Sequence, residues 1–229
     1  MNFDFLKSGT SVEESEIVAF KNDFKGNKYL YLLAGVHGDE VEGVFVLQKL
    51  FDWLKMVEEN QINIPIIVIP ILNVDGYKHG IRQNAHGVDL NRNLPTSDWS
   101  RDYSEKKYYP GTAPLSEPEN KFLDKLFKKY PPTFIMSFHS WKPLININGD
   151  CIKVAEFLKL YNKYEIVDDI GYPTPGSLGT YGSKNLKCPV ITFEFPLIQS
   201  DKMLNDIWAE NEEGLSALFF NEDFLKIFK

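Results

Sequence analysis

The sequence predicts a single-domain α/β fold, a mostly parallel but mixed twisted sheet with helices on both faces. Three observations lead there. Four apolar runs lack the polar alternation of a half-exposed strand, as strands covered on both faces do. Segments of helical periodicity separate them, which is the alternation of an α/β chain. Finally, 229 residues that are 43% hydrophobic and 14% aromatic fill one large core without requiring a second, so one domain over residues 1–229 is expected.

Taken in order, the first strand is expected over residues 29–36 and a helix over 41–56. A second strand over 64–72 contains Pro65 and Pro70, which predict an edge position or a bulge. Residues 94–118, rich in Pro, Ser, Tyr and charge, read as a long surface loop. A helix follows over 117–130, with Ser116 and Glu119 placed as a capping box and Phe122, Leu123, Leu126 and Phe127 as the stripe facing the sheet. The third strand is expected over 133–138, a helix over 152–162, the fourth strand over 190–195, and a last helix over 201–219.

Composition excludes several functions. Lys and Arg total 25 against 32 Asp and Glu, so a net charge of −7 gives no global field for phosphate backbones, and nucleic acid is not expected as a partner. No apolar run approaches a membrane span, and the opening residues lack the basic-then-apolar order of a secretion signal, so no membrane partner and a cytoplasmic location are expected. Cys151 and Cys188 read as buried free thiols, in keeping with a reducing compartment.

The chemistry gathers at strand ends. The first run ends at Gly35-Val36-His37-Gly38-Asp39-Glu40, the third at Phe138-His139-Ser140, and the fourth holds Glu194. Open parallel sheets bind ligands beyond the carboxyl ends of their strands, so His37, Glu40, His139 and Glu194 are expected at one edge. Two imidazoles and one carboxylate are a common catalytic zinc set with a position left for water, and one zinc per chain is expected. His79 and His86 lie in a polar loop and read as surface residues or supports. Glu194, inside an apolar run, is too costly to bury without a role. On the residues alone it either meets an Arg in a structural ion pair or serves as a general base whose pKa Phe193 and Phe195 raise.

The stretch Asn73-Val74-Asp75-Gly76-Tyr77, followed by Arg82 and then Asn84-Ala85-His86-Gly87-Val88-Asp89-Leu90-Asn91-Arg92-Asn93, resembles the signature of the zinc carboxypeptidases of the carboxypeptidase A superfamily. His37-x-x-Glu40, His139-Ser140 and Thr192-Phe193-Glu194 extend the likeness along nearly the whole chain. Residues 95–99, 109–111, 116–119 and 171–179 most resemble the murein peptide amidase A group within it. The resemblance implies zinc on His37, Glu40 and His139, Glu194 as general base and later proton donor, and Arg82 as the support of the oxyanion. It further implies Asn91 and Arg92 as the pair that binds a terminal carboxylate, and Tyr172 as a tyrosine that closes over the substrate. The implied reaction is hydrolysis of the amide bond to a C-terminal amino acid, the γ-D-Glu–meso-diaminopimelate bond of murein tripeptide in cell-wall recycling. Lys184 and Lys187 each have two readings, a solvated surface lysine or a contact to the distal carboxylate of diaminopimelate. A general metallocarboxypeptidase, an acyl-amino-acid deacylase and a catalytically silent peptide-binding module are the alternatives. Val74 departs from the group's usual Pro, and Leu94 from its frequent Phe; neither is in the ligand set.

Overall fold

The computed structural model describes residues 1–58, 61–198 and 202–228. Its strands run in chain order as β1 (Phe3–Phe5), β2 (Gly9–Thr10), β3 (Glu16–Ile17), β4 (Phe20–Asn22), β5 (Tyr29–Ala34), β6 (Ile66–Ile69), β7 (Pro132–Trp141), β8 (Leu144–Asn148), β9 (Glu165–Val167) and β10 (Val190–Pro196). The helices are α1 (Val41–Met56), α2 (Val74–His79), α3 (Pro118–Lys129), α4 (Ile152–Asn162), α5 (Leu178–Thr180), α6 (Leu204–Leu218) and α7 (Glu222–Lys226).

One eight-stranded sheet carries the order β1-β4-β6-β5-β7-β10-β8-β9, and β2 pairs with β3 in a small separate ribbon. The central pairs β6/β5, β5/β7 and β7/β10 are parallel, while β4/β6 and β10/β8 are antiparallel. The sheet is therefore mostly parallel and mixed, as expected. Alternation along β5 sorts its side chains to two cores. Leu30, Leu32 and Ala34 join α1, α4 and α6 on one face, and Tyr29, Tyr31 and Leu33 join α3 on the other. The predicted stripe Phe122, Leu123, Leu126 and Phe127 is buried in the second core. Among the described residues no helix is long and apolar enough to cross a membrane.

Three expectations are corrected. The strand with the prolines is internal: β6 lies between β4 and β5, and it is cut to Ile66–Ile69, so that Pro65 and Pro70 flank the ladder and remove no hydrogen bond from it. The capping box at α3 does not form. Ser116 Oγ donates to Glu117 Oε1 (2.6 Å), Glu117 is the cap residue without a side-chain cap bond, and Pro118 opens the helix at the position that needs no N–H. The last helix begins at Leu204 instead of Asp201, which lies outside the described residues; Met203 N–H donates to Asp206 Oδ2 at its start.

Candidate metal and substrate site

His37 follows β5 through a tight turn. Gly35 holds a φ of 62°, and a Cβ on Gly38 would stand 2.0 Å from the Gly76 carbonyl carbon, so the loop can pass the start of α2 only with glycine there. Glu40 is the residue preceding α1, and the Gly43 amide donates to Ser140 Oγ (3.1 Å), fastening α1 to the end of β7. β7 runs on to Trp141, past the predicted end, so His139 sits inside the ladder and pairs in register with Glu194 of β10. Three chain-distant segments thus meet on the α3-side face of the sheet, at its carboxyl edge.

His37 Nδ1 lies 2.6 Å from Glu40 Oε1, and His139 Nδ1 lies 2.7 Å from Glu40 Oε2 and 3.2 Å from His37 Nδ1. All three residues are buried, and they form the group of potential metal ligands found among the described residues. His37 Nε2 faces Asp89 Oδ1 at 3.1 Å. The Asp89 carboxylate accepts a hydrogen bond from Nε2–H, which keeps the ring proton on that side and leaves the lone pair of a neutral ring on Nδ1, aimed at Glu40 and His139. Lone pairs gathered in this way fit a cation between them, and two imidazole nitrogens with one carboxylate fit zinc. Burial works to raise the Glu40 pKa, but His37 and His139 outweigh it and hold the carboxyl well below its usual range. Burial and the Arg82 charge push the His37 pKa down, yet Glu40 and Asp89 prevail and it is raised.

Asp89 organises the support. Fully buried, it accepts from His37, from the Asn91 amide (2.9 Å) and from Arg82 Nε and Nη2 (3.1 and 2.9 Å). Its own pKa is held far down: burial opposes this, and His37, Arg82 and Arg92 overcome it. Arg82 Nη1 reaches Glu40 Oε1 at 3.4 Å, and the Arg82 carbonyl accepts from the Gly38 amide and from Asn73 Nδ2. Asn73 also caps α2 through Gly76, with Val74 taking the first helical position in place of the group's Pro. Asn91 Oδ1 accepts from the Leu178 amide (2.8 Å), which turns its NH2 group outward, and Arg92 Nη1 donates to the Asn91 carbonyl (2.7 Å).

Glu194 forms no structural ion pair among the described residues, and its raised pKa has a cause other than the expected phenylalanines. Its Oε2 is buried without a hydrogen-bond partner. Burial raises its pKa to about 7; Glu40 adds to the rise, while His139 and Arg82 oppose it. Phe193 and Phe195 are not its neighbours in the site, because strand alternation sends them to the opposite face. There they stack on each other at 5.4 Å and on Phe138.

These groups line one cleft of about 620 Å³. His37, Glu40, Arg82, Asn91, Arg92, Tyr172 and Glu194 all border it. Tyr172 is 37% exposed, with its ring 6.0 Å from Tyr108 and 6.2 Å from Trp141, so it is no core tyrosine. Sequence reasoning missed Tyr108, whose ring lies 5.5 Å from the Arg82 guanidinium and 5.3 Å from that of Arg92. Nothing in its loop of polar and charged residues marks it out, whereas Asp89 could have been found as a charge between Val88 and Leu90. Lys184 and Lys187 are exposed and do not border the cleft, which agrees with the surface reading of both and not with a contact to the substrate. His79 pairs with Glu13 and His86 with Glu117, both at the surface as expected; Cys151 and Cys188 are buried free thiols.

Comparison with known proteins gives concordant results. The zinc carboxypeptidase family model matches residues 4–153. Murein peptide amidase A of Escherichia coli (strain K12) is 34% identical over 184 residues, 75% of this chain and 72% of that protein. The protein of the same name from Vibrio campbellii is 31% identical over 205 residues, 84% of this chain and 79% of its own. The crystal structure of murein-tripeptide amidase from Escherichia coli O157 superposes with a TM-score of 0.76 at 28% identity, covering 92% of this chain and 89% of that one.

Proposed function

The chain belongs to the zinc carboxypeptidase family and is a zinc-dependent hydrolase, and on that footing we propose that it releases meso-diaminopimelate from murein tripeptide in the cytoplasm, during cell-wall recycling, as one catalytic domain spanning residues 1–229. The observation that carries the reading is Glu194: a half-buried carboxylate whose Oε2 is buried without a partner, in register with His139, beside a His–Glu–His group and bordering the same cleft as two arginines. The murein substrate is supported by relatives named for it at 31–34% identity.

His37, Glu40 and His139 hold the zinc, which when bound supplies Lewis acidity to the scissile carbonyl and to water. Arg92 and Asn91 receive the free carboxylate of the terminal residue; the guanidinium offers a planar fork and the Asn amide a second donor. That anchor sets the amide bond against Glu194. Glu194, kept basic enough by its burial to accept a proton near neutral pH, takes one from the attacking water and delivers it to the leaving nitrogen. Arg82, braced by Asp89, presents Nη1 to the negative charge that develops on the carbonyl oxygen. Tyr172 and Tyr108 wall the cleft on the substrate side and exclude water once it is filled.

The test is release of free meso-diaminopimelate from L-Ala-γ-D-Glu-meso-diaminopimelate by the zinc-loaded protein. Cleavage that chelation abolishes and zinc restores is the expected result; an intact tripeptide under those conditions removes the reading.

A further inference from the structure

A second groove, of about 500 Å³, runs along α3 and shares no lining residue with the cleft described above. One wall is the segment of residues 6–10, which includes β2, and the other is α3. A Cβ on Gly9 would stand 2.5 Å from Phe122 Cγ, so the segment lies as close to the helix as a glycine permits. Just beyond it, Ser11 Oγ donates to Asp75 Oδ1 (2.7 Å) and fastens that wall to α2. β2 pairs with β3 alone, which leaves its other edge without a strand.

Two kinds of side chain meet in this groove. Leu6, Phe122, Leu126 and Tyr130 bring part of the second core to its surface. Lys7, Lys121, Lys125 and Lys129 are exposed there, and no Asp or Glu borders it. Residues 121, 125 and 129 follow one another at a helical turn and form one stripe. Like charges at that spacing repel, so the stripe does nothing for the stability of the helix. Lys128, on the same helix but outside the groove, pairs with Asp124 (2.6 Å), whereas no ion pair engages the four lysines of the groove among the described residues. Lys121 Nζ donates to the Ser116 carbonyl (2.7 Å), which leaves its charge uncompensated. The groove is thus a cationic strip with an apolar lining, on a chain whose net charge is −7.

We infer that this groove is a docking site for an acidic segment of a partner protein, bound in extended conformation with carboxylates and apolar side chains alternating. The two spacings agree. Residues four apart on a helix rise by about 6 Å, and alternate residues of an extended chain are about 6.6 Å apart, so successive carboxylates meet successive lysines of α3. The apolar residues between them turn the other way and cover the apolar lining, while the flexible lysine stems reach the carboxylates. A phosphate backbone would match the charge but leave that lining in water, and a fatty acid would match the lining but engage only part of the lysine row.

The test is fluorescence anisotropy of a fluorescein-labelled octapeptide that alternates Glu with Leu, titrated with the full zinc-loaded chain at low salt. Its carboxyl terminus is amidated, so that Asn91 and Arg92 find no terminal carboxylate. Wild type is expected to bind it, with an affinity that falls as salt is added. Lys125→Glu, in the middle of the stripe, should weaken binding roughly tenfold or more, and Lys125→Gln about threefold. Lys128→Glu makes the same change of charge outside the groove and should stay within about twofold of wild type. The same residues arranged as a block of Glu followed by a block of Leu should bind roughly tenfold more weakly, because charged and apolar groups no longer alternate. Circular dichroism checks each fold, and Lys125→Gln carries the test should Lys125→Glu not fold. No binding of the alternating peptide, equal binding of the block peptide, or equal losses in Lys125→Glu and Lys128→Glu overturns the inference. So does preferential binding of wild type to phosphatidylglycerol vesicles, which would make the groove a contact for an anionic membrane surface.

Discussion

Two groupings of histidine and buried carboxylate among the described residues differ in that one is open and the other closed. In the first, His37, Glu40 and His139 turn their ligand atoms toward one another inside the cleft. In the second, Glu117 accepts from Ser116, Asn84 and His86, while Glu119 accepts from Asn84 and from the Val12 amide. The second is closed by its own hydrogen bonds, and its histidine side chain is 58% exposed. Residue types are nearly the same in both. What differs is where the donors come from: hydroxyl, imidazole, side-chain amide and backbone groups satisfy the second, whereas the first leaves nitrogen lone pairs and carboxylate oxygens facing a shared centre. Ligand atoms turned on one another around a shared centre mark a site; carboxylates satisfied by surrounding donors mark a scaffold.

The largest effect that sharpens this contrast belongs to Glu194, whose Oε2 lies without a partner beside the open cluster. Glu194→Gln should retain zinc and tripeptide binding while turnover falls by roughly a thousandfold or more, because proton transfer and the carboxylate charge are lost together. Wild-type turnover in that variant would assign the base elsewhere. Next come the arginines. Arg82→Ala should lower kcat about a hundredfold, since it meets charge that develops only during reaction. Arg92→Lys should act chiefly on KM, because the fork binds a charge the substrate already carries. Steady-state kinetics on the same tripeptide separate the two, and the reverse assignment of kcat and KM effects would exchange their roles.

The smallest effect lies in the closed cluster and concerns stability against pH. Burial opposes ionisation of Glu117, but hydrogen bonds from Ser116, Asn84 and His86 prevail and its pKa is lowered. Its stabilising share is therefore present above the ordinary Glu range and lost as pH falls through the lower folded value. Glu119 is the opposite case. Burial raises its pKa, and the contribution present at low pH is lost as pH rises through the raised value. Thermal unfolding of Glu117→Gln should thus lose its deficit against wild type on acidification, and that of Glu119→Gln should improve against wild type as pH rises. Matching slopes for the two variants would contradict the assignment.

Much of this was legible in the sequence because its cause is local. The helices Val41–Met56 and Ile152–Asn162 and the buried stripe of α3 follow from periodicity alone, and β5 from an unbroken apolar run. What periodicity misses is what other elements decide. β8 alternates Leu and Ile with Asn, as a half-buried strand does, but its five residues between a proline turn and Gly149 are too few to stand out. The register that sets Glu194 beside His139 is fixed by pairing between segments far apart in the chain. The role of Phe193 and Phe195 is the instructive error: neighbours in sequence lie on opposite faces of a strand, so their rings pack in the core behind the sheet while Glu194, its pKa raised by burial, faces the cleft.

The contrast between open and closed clusters is tested most directly by zinc titration of the metal-free protein, His139→Ala and His86→Ala in parallel. The account predicts about one zinc per chain bound with the same affinity by wild type and His86→Ala, and loss of that site in His139→Ala. Stoichiometric zinc retained at unchanged affinity by His139→Ala, or lost by His86→Ala, would contradict it.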